Sequence, residues 1–324
     1  MSMLKQIATA SIRNPLGRAC VNAWCQTTAP KEAPWFDRSD ADKEIERFVD
    51  RNLVDEQGAQ YLRDWVQHGC FVVPNAVPAA DVDNMVTLVE ELANSTRPIA
   101  GLTLLAVRET VDSPEMGISH RDFIRRYTVD DRRRMLGHSS WRIHGFHRVH
   151  RSPRRIFRNP DLSRIASMVF QHEAVPSTTI SFSRGSAQAL HQDMAVFHVQ
   201  PRNFLIGAWV AFEDITADSG PLIYCPGSHR SPWFTEFTNY PQTNLRTSGS
   251  EVSVRYHDWI DKESRRFDQK TFLARKGDVL FWHPMLFHGG APIQRAGATR
   301  KSLVIHYMVR GTNRSWAVKG PFNW

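Results

Sequence analysis

His191 and Asp193 stand two positions apart in HQDMAVFH, residues 191–198, and His198 closes the same stretch. Imidazole nitrogen and carboxylate oxygen are both good ligands for first-row transition metals. On a strand, residues i and i+2 point to the same side, so His191 and Asp193 would face one point while Gln192 faces away. On a helix the same pair would diverge by roughly half a turn or more. A metal held at this spacing therefore wants extended backbone. The triplet by itself occurs by chance in many chains, and its weight comes from what stands later.

GDVLFWHPMLFHGGAP, residues 277–292, reads as a strand followed by a histidine and two glycines. His288 there could turn its ring inward, with Gly289 and Gly290 letting the backbone pass close to a ligand. Two histidines and one carboxylate make the facial triad that holds non-haem Fe(II) and leaves positions open for other ligands. Arg300 follows His288 by twelve residues, and Arg300 and Ser302 share a strand face. A guanidinium fork and a hydroxyl would there grip a carboxylate. Rivals exist nearby. His283 precedes a proline at a strand end and reads as a pocket or core residue. His198, at an odd offset from His191, reads as facing substrate or the ligands' surroundings. Arg295 lies in the turn QRAGAT and reads as solvated, His306 and Tyr307 read as core, and Ser228 and His229 in PGSHR read as a turn close to the site.

The elements that must position these residues are visible in outline. ADKEIERFVDRNL and DEQGAQYLRDWVQHG carry apolar residues at helical spacing, CFVVPNAV reads as a strand entering a turn, and PAADVDNMVTLVEELANS as a further helix. After a stretch read as rich in loops come short β-runs: TTISFS (178–183), LIGAWVAFE (205–213), PLIYC (221–225), KTFLA (270–274), DVLFW (278–282) and KSLVIHYMV (301–309). Many short strands punctuated by Gly, Pro, Asp and Ser predict a mainly β fold with flanking helices, as an antiparallel barrel or jelly roll.

With 324 residues and 41% hydrophobic content the chain can bury a large core, and one domain is expected. It divides into an N-terminal arm over 1–40 and a domain over 41–324, with a lead-in at 41–176 and barrel strands at about 177–310. No window approaches eighteen uninterrupted apolar residues, so no transmembrane segment is expected. Cys20, Cys25, Cys70 and Cys225 form no CxxC pair, which favours a reducing compartment. The first 31 residues hold Lys5, Arg13, Arg18 and Lys31 and no acid. They read as a solvated arm of a cytoplasmic protein, with a mitochondrial transit peptide as the alternative.

In order and spacing, YLRDWVQHGCFVVPNAVPAADV, HQD, GAWVAFED, SGPLIYCPGSHR, GDVLFWHPMLFHGG and TRKS resemble the phytanoyl-CoA dioxygenase family of Fe(II)- and 2-oxoglutarate-dependent oxygenases, over roughly residues 55–310. The resemblance implies a double-stranded β-helix of the jelly-roll, cupin-like kind. It implies iron bound by His191, Asp193 and His288, and the far carboxylate of 2-oxoglutarate held by Arg300. Gln192 and Trp209 match positions that line the co-substrate pocket in relatives. Gly290 stands where some relatives offer a hydroxyl, a contact that Ser302 could supply. The implied reaction uses dioxygen to hydroxylate a small molecule, releasing succinate and CO2. A carboxylate at position 193 argues against halogenation, for which relatives carry a small residue.

The substrate is hinted at only by charge. The formal net charge is +8, and the excess concentrates in residues 120–158, which carry many Arg, no Lys and few acids. Arginine suits phosphate and carboxylate, so an anionic substrate such as an acyl-CoA, lipid or sugar derivative is expected, with some of Arg125, Arg126, Arg142 and Arg148 as a clamp and the others structural. A solvated basic face is the plain alternative. Two other classes compete: a non-catalytic jelly-roll binding protein with a vestigial metal site, and a nucleic-acid binder, against which the absence of any recognised nucleic-acid motif counts.

Overall fold

The computed structural model describes residues 33–197, 199–237, 245 and 248–314. The expectations for the acid-free N-terminal segment and for His198 fall outside these residues. Within the arm expected over 1–40, Trp35 and Phe36 are buried in a short turn at Trp35–Asp37, and the Trp35 indole donates to the Val169 carbonyl at 2.8 Å. Packed structure thus begins before residue 41.

Two helices follow, α1 (Ala41–Asp50) and α2 (Glu56–His68). The second starts where the Asp55 carboxylate accepts from Gly58 N–H and stops at Gly69, whose φ of 74° only glycine adopts without strain. Then come β1 (Cys70–Val73) and α3 (Ala79–Glu91). The middle of the chain, read above as loops, is instead well structured. It holds β2 (Thr103–Val107), β3 (Met116–Ser119), α4 (His120–Arg126), α5 (Val129–His138), β4 (Arg142–His144), α6 (Phe146–Val149), α7 (Arg151–Phe157) and α8 (Pro160–Phe170). The remaining elements are β5 (Ala174–Phe182), β6 (Val199–Gln200), β7 (Leu205–Ala211), β8 (Leu222–Tyr224), α9 (Gly249–Ser264), β9 (Lys270–Phe272), β10 (Val279–Trp282), β11 (His288–Gly290), β12 (Ser302–Val309) and β13 (Asn313–Arg314). Helices contribute more residues than strands, so the architecture is mixed rather than mainly β.

Eight strands form one antiparallel sheet in the order β1-β10-β7-β12-β5-β4-β2-β3, three form a second, β11-β8-β9, and β13 pairs with β6. The large sheet separates two apolar layers by residue parity. On one face Ile206, Ala208 and Val210 of β7, Val279 and Phe281 of β10, and Leu303, Ile305 and Tyr307 of β12 join a core with Leu62 and Trp65 of α2 and with Leu162, Ala166 and Val169 of α8. On the other face Trp209, Leu280, Trp282 and Val304 meet Leu222 and Phe272 of the small sheet. Strands buried on both faces need apolar residues at nearly every position, which is why LIGAWVA and VLFW read as continuous runs rather than alternations. Each large side chain so buried contributes about 1.5–3 kcal/mol. Among the described residues no helix is long and apolar enough to cross a membrane.

Candidate metal centre

Between the two sheets His191 and His288, distant in the chain, form an isolated antiparallel bridge. His191 N–H donates to the His288 carbonyl at 3.0 Å and His288 N–H donates back at 3.1 Å. Reciprocal backbone bonds set two residues directly opposite each other, and the imidazole centroids lie 4.4 Å apart. The backbone is extended through Gln192, as the His-x-Asp spacing requires, but Asp193 opens a short 3₁₀ turn, Asp193–Ala195, instead of continuing a strand. One ligand atom each from His191, Asp193 and His288 lies within 4.8 Å of the other two, and all three residues are buried.

Both imidazoles are oriented in the same manner. Nδ1 of His191 lies 3.0 Å from the Ala189 carbonyl, and Nδ1 of His288 lies 3.0 Å from the Leu286 carbonyl. A carbonyl only accepts, so each Nδ1 carries the hydrogen and each Nε2 keeps its lone pair. His288 Nε2 is 3.7 Å from Asp193 Oδ1, and His191 Nε2 lies 3.3 Å from the Gln188 side-chain amide nitrogen, which donates to it. Burial, then the neighbouring His288, pushes the His191 imidazolium down to about 4, so its ring is neutral at physiological pH. Burial works to raise the Asp193 carboxyl, but His306 and His288 outweigh it and hold Asp193 well below the usual carboxylate range. Two imidazoles and one carboxylate are the donor set for a divalent iron.

Arg300 is nearly fully buried, and its Nε and Nη1 have no hydrogen-bond partner among the described residues; neither does the buried Oγ of Ser302. Burial pushes the guanidinium down to about 10, which still leaves it charged at neutral pH. Such a group calls for an anion. Two glycines make its space: a Cβ on Gly185 would stand 2.8 Å from Nε, and one on Gly290 would stand 3.0 Å from Nη1 and Nη2. Gly290 follows His288 by two residues on β11, so both face the same side and the guanidinium lies on the ligands' side of the sheet. The glycine at 290, a departure when read as a missing hydroxyl, is what admits the arginine.

The other residues singled out fall into place. The Gln192 amide donates to the Met285 carbonyl at 2.9 Å, and its backbone N–H donates to the Tyr256 hydroxyl of α9 at 3.0 Å. Its side chain is thus committed to the frame around the ligands and not turned to them. Trp209 packs between the sheets, edge-on to Phe272. His283 is buried against Trp65 and Phe36 on the helix side, with Nε2 3.2 Å from the Asp37 carboxylate. Arg295 pairs with Asp218 on the surface at 2.7 Å. Ser228 and His229 belong to a 3₁₀ turn, and Ser228 Oγ accepts from Phe287 N–H at 2.8 Å, which secures the segment before His288.

Two contacts were not legible as such. Trp282 Nε1 donates to Asp193 Oδ2 at 2.8 Å, and His306 Nε2 lies 3.2 Å from the same oxygen. Parity offered a signal: His306 alternates with Ser302 and Val304, and Trp282 with Leu280, so both face the ligands.

Of the four arginines expected to supply a clamp, Arg125, Arg126 and Arg148 are exposed. Arg125 pairs with Asp122, Arg133 with Asp130, Arg134 with Asp131 and Arg155 with Asp81, all from exposed arginine side chains, while Arg132 donates to the Ser95 carbonyl. Arg142 differs. It is paired with Phe182 across β4 and β5, and directly opposed residues point to the same side, here toward the space between the sheets.

Comparison with known proteins bears on this arrangement. The family described as Phytanoyl-CoA dioxygenase (PhyH) matches residues 65–302. The chain is similar to "Phytanoyl-CoA dioxygenase, peroxisomal" of Bos taurus, 32% identical over 127 residues that cover 39% of this chain and 35% of that protein. It is similar to the Homo sapiens protein of the same description at 21% identity over 266 residues, covering 82% of this chain and 71% of that one. The match to the bovine protein thus spans about a third of that protein's length. Among solved structures, EctD from S. alaskensis with 2-oxoglutarate and 5-hydroxyectoine shares the fold, with a TM-score of 0.56, 16% identity, and coverage of 84% of this chain and 82% of that chain.

Proposed function

Since the chain belongs to the phytanoyl-CoA dioxygenase family, we propose that it is an Fe(II)- and 2-oxoglutarate-dependent dioxygenase that hydroxylates a small molecule. The observation that carries this reading is the pairing of the buried triad His191, Asp193 and His288 with a buried guanidinium on the same side of the sheet, whose Nε and Nη1 have no partner among the described residues. The two facing sheets support a double-stranded β-helix around them. Iron bound with the keto acid would supply the oxidising power, placing one oxygen atom of dioxygen in the substrate and the other in succinate, with release of CO2.

The chain's own residues do the rest. His191 and His288 present Nε2, because their Nδ1 hydrogens are held by backbone carbonyls, and Asp193 presents Oδ1. Arg300 receives the distal carboxylate of 2-oxoglutarate as a fork, and the Ser302 hydroxyl is placed to donate to the same group. The apolar layer of Trp209, Leu280, Val304 and Phe272 keeps water from the space between the sheets. Arg142, facing that space, supports an anionic group on the molecule bound there.

The test is succinate formation by protein reconstituted anaerobically with Fe(II), given 2-oxoglutarate, dioxygen and pools of anionic and neutral small molecules. Substrate-stimulated succinate is the expected result, lost in Asp193→Ala while the circular dichroism of the variant stays that of the folded chain. Equal succinate from wild type and Asp193→Ala would refute the assignment.

A further inference from the structure

Three neighbouring strands of the large sheet, β10, β7 and β12, place Trp282, Gly207 and His306 in a single cross-strand row: Trp282 is paired with Gly207, and Gly207 with His306. Residues in such a row point to one side of the sheet. The middle member has no side chain, and the Trp282 indole leans over it. A Cβ at position 207 would stand 2.1 Å from the Trp282 indole, inside any allowed contact. The two rings meet edge-on, with centroids 6.5 Å apart at 90°. Across the row lies Asp193, and both nitrogens reach the same carboxylate oxygen, Oδ2: Trp282 Nε1 at 2.8 Å and His306 Nε2 at 3.2 Å. A carboxylate only accepts, so His306 carries its hydrogen on Nε2, and two N–H donors occupy the lone pairs of Oδ2. Oδ1 is left for a metal. The indole also lies against the His288 ring, with centroids 4.7 Å apart.

Resting on the iron site proposed above, we infer that Trp282 and His306, admitted by Gly207, are positioning residues that restrict Asp193 to one coordinating oxygen. A carboxylate free to rotate can present both oxygens to the ion and take a position that the co-substrate or dioxygen requires. With Oδ2 bound on the far side by two buried donors, that rotation breaks two hydrogen bonds to a charged group in an apolar setting. Trp282 contacts a second ligand as well, so one side chain sets the relation between Asp193 and His288. The row belongs to the strands rather than to a loop, which makes the cradle as rigid as the sheet.

The test uses full-length protein and measures the anaerobic Fe(II) dissociation constant, together with the visible charge-transfer absorption that forms when 2-oxoglutarate is added to the Fe(II) protein. Trp282→Phe keeps an aromatic ring but removes the pyrrole half of the indole together with its N–H. It should weaken Fe(II) binding roughly 10- to 100-fold, the usual range for loss of a group supporting a metal ligand, and shift the absorption band, while the circular dichroism of the metal-free variant stays that of the folded chain. His306→Gln, which retains a donor, should lose less affinity than His306→Leu. Gly207→Ala should resemble Trp282→Phe by displacing the indole; if it does not fold, the other variants decide. Wild-type affinity and an unshifted band in Trp282→Phe would overturn the inference alone. Failure of the wild-type protein to bind Fe(II) would overturn the iron site, and this inference with it.

Discussion

A buried charge short of partners is the most informative single residue in the molecule. Among the described residues Arg300 finds no hydrogen-bond partner for Nε and Nη1 at 3% exposure, a state that costs several kcal/mol unless an anion answers it. If that anion is the distal carboxylate of 2-oxoglutarate, Arg300→Leu should weaken apparent co-substrate affinity by roughly ten- to a hundredfold, since hydrogen bonds to charged groups contribute about 1.5–3 kcal/mol. Arg300→Lys keeps the charge but not the fork, and should fall between. Gly290→Ala probes the same space from the other side. Its Cβ would press on both terminal nitrogens at 3.0 Å, so co-substrate affinity should drop severalfold although no hydrogen bond is deleted. Titrating 2-oxoglutarate against the charge-transfer band of the Fe(II) protein reads all three. Unchanged affinity in Arg300→Leu would assign the carboxylate to another residue.

At the scale of elements, the strands of the second half were legible, and the short helices and strands of the middle were not, for a physical reason. β5, β7, β8, β9, β10 and β12 all lie within or across the runs that hydrophobicity and β-branching marked, most densely in β7, β10 and β12, which are buried on both faces. The helices α4 to α8 are short, and several are arginine-rich. α5 buries only Arg132, Met135 and Leu136, so it has almost no apolar stripe to read. Its start was nonetheless written in the chain: Thr128 and Asp131 form a reciprocal capping box, and Asn159 before Pro160 opens α8. The metal ligands were readable because each sits in a short motif. The groups behind them were not, because the row of Trp282, Gly207 and His306 exists only once the strand order is known. The same elements redistribute the arginines. Arg125 and Arg134 lie on exposed helix faces in i,i+3 pairs, where solvent screens the attraction. Alanine at either should leave the steady-state constants unchanged. Arg142→Ala, on the inner face of β4, should lower kcat/KM at least tenfold through KM. Identical kinetics for all three variants would remove Arg142 from the binding space.

For the molecule as a whole, burying neutral imidazoles makes stability depend on pH in a defined direction. Burial, with help from a neighbouring histidine in each case, pushes His191 down to about 4 and His229 down to about 3. In the unfolded chain both would protonate near 6.5. Between these values the unfolded state binds more protons than the folded one, so stability falls as pH falls. The effect is absent above about pH 6.5 and grows by about 1.4 kcal/mol per pH unit for each group below it. Asp193 works in another window. Its carboxyl is lowered, so its contribution is present above the ordinary carboxylate value and is lost only under stronger acid. Between pH 7 and pH 5 the histidines therefore dominate, and the metal-free protein should lose about 2–4 kcal/mol of unfolding free energy, measured by urea denaturation at the two pH values. His229 lies outside the ligand set, in the turn beside Gly69, so His229→Gln isolates one share of the effect. It should reduce the drop by about 2 kcal/mol. A drop of the same size in His229→Gln would mean that this imidazole is already charged in the folded protein, and that its neutral burial is not what makes the fold sensitive to acid.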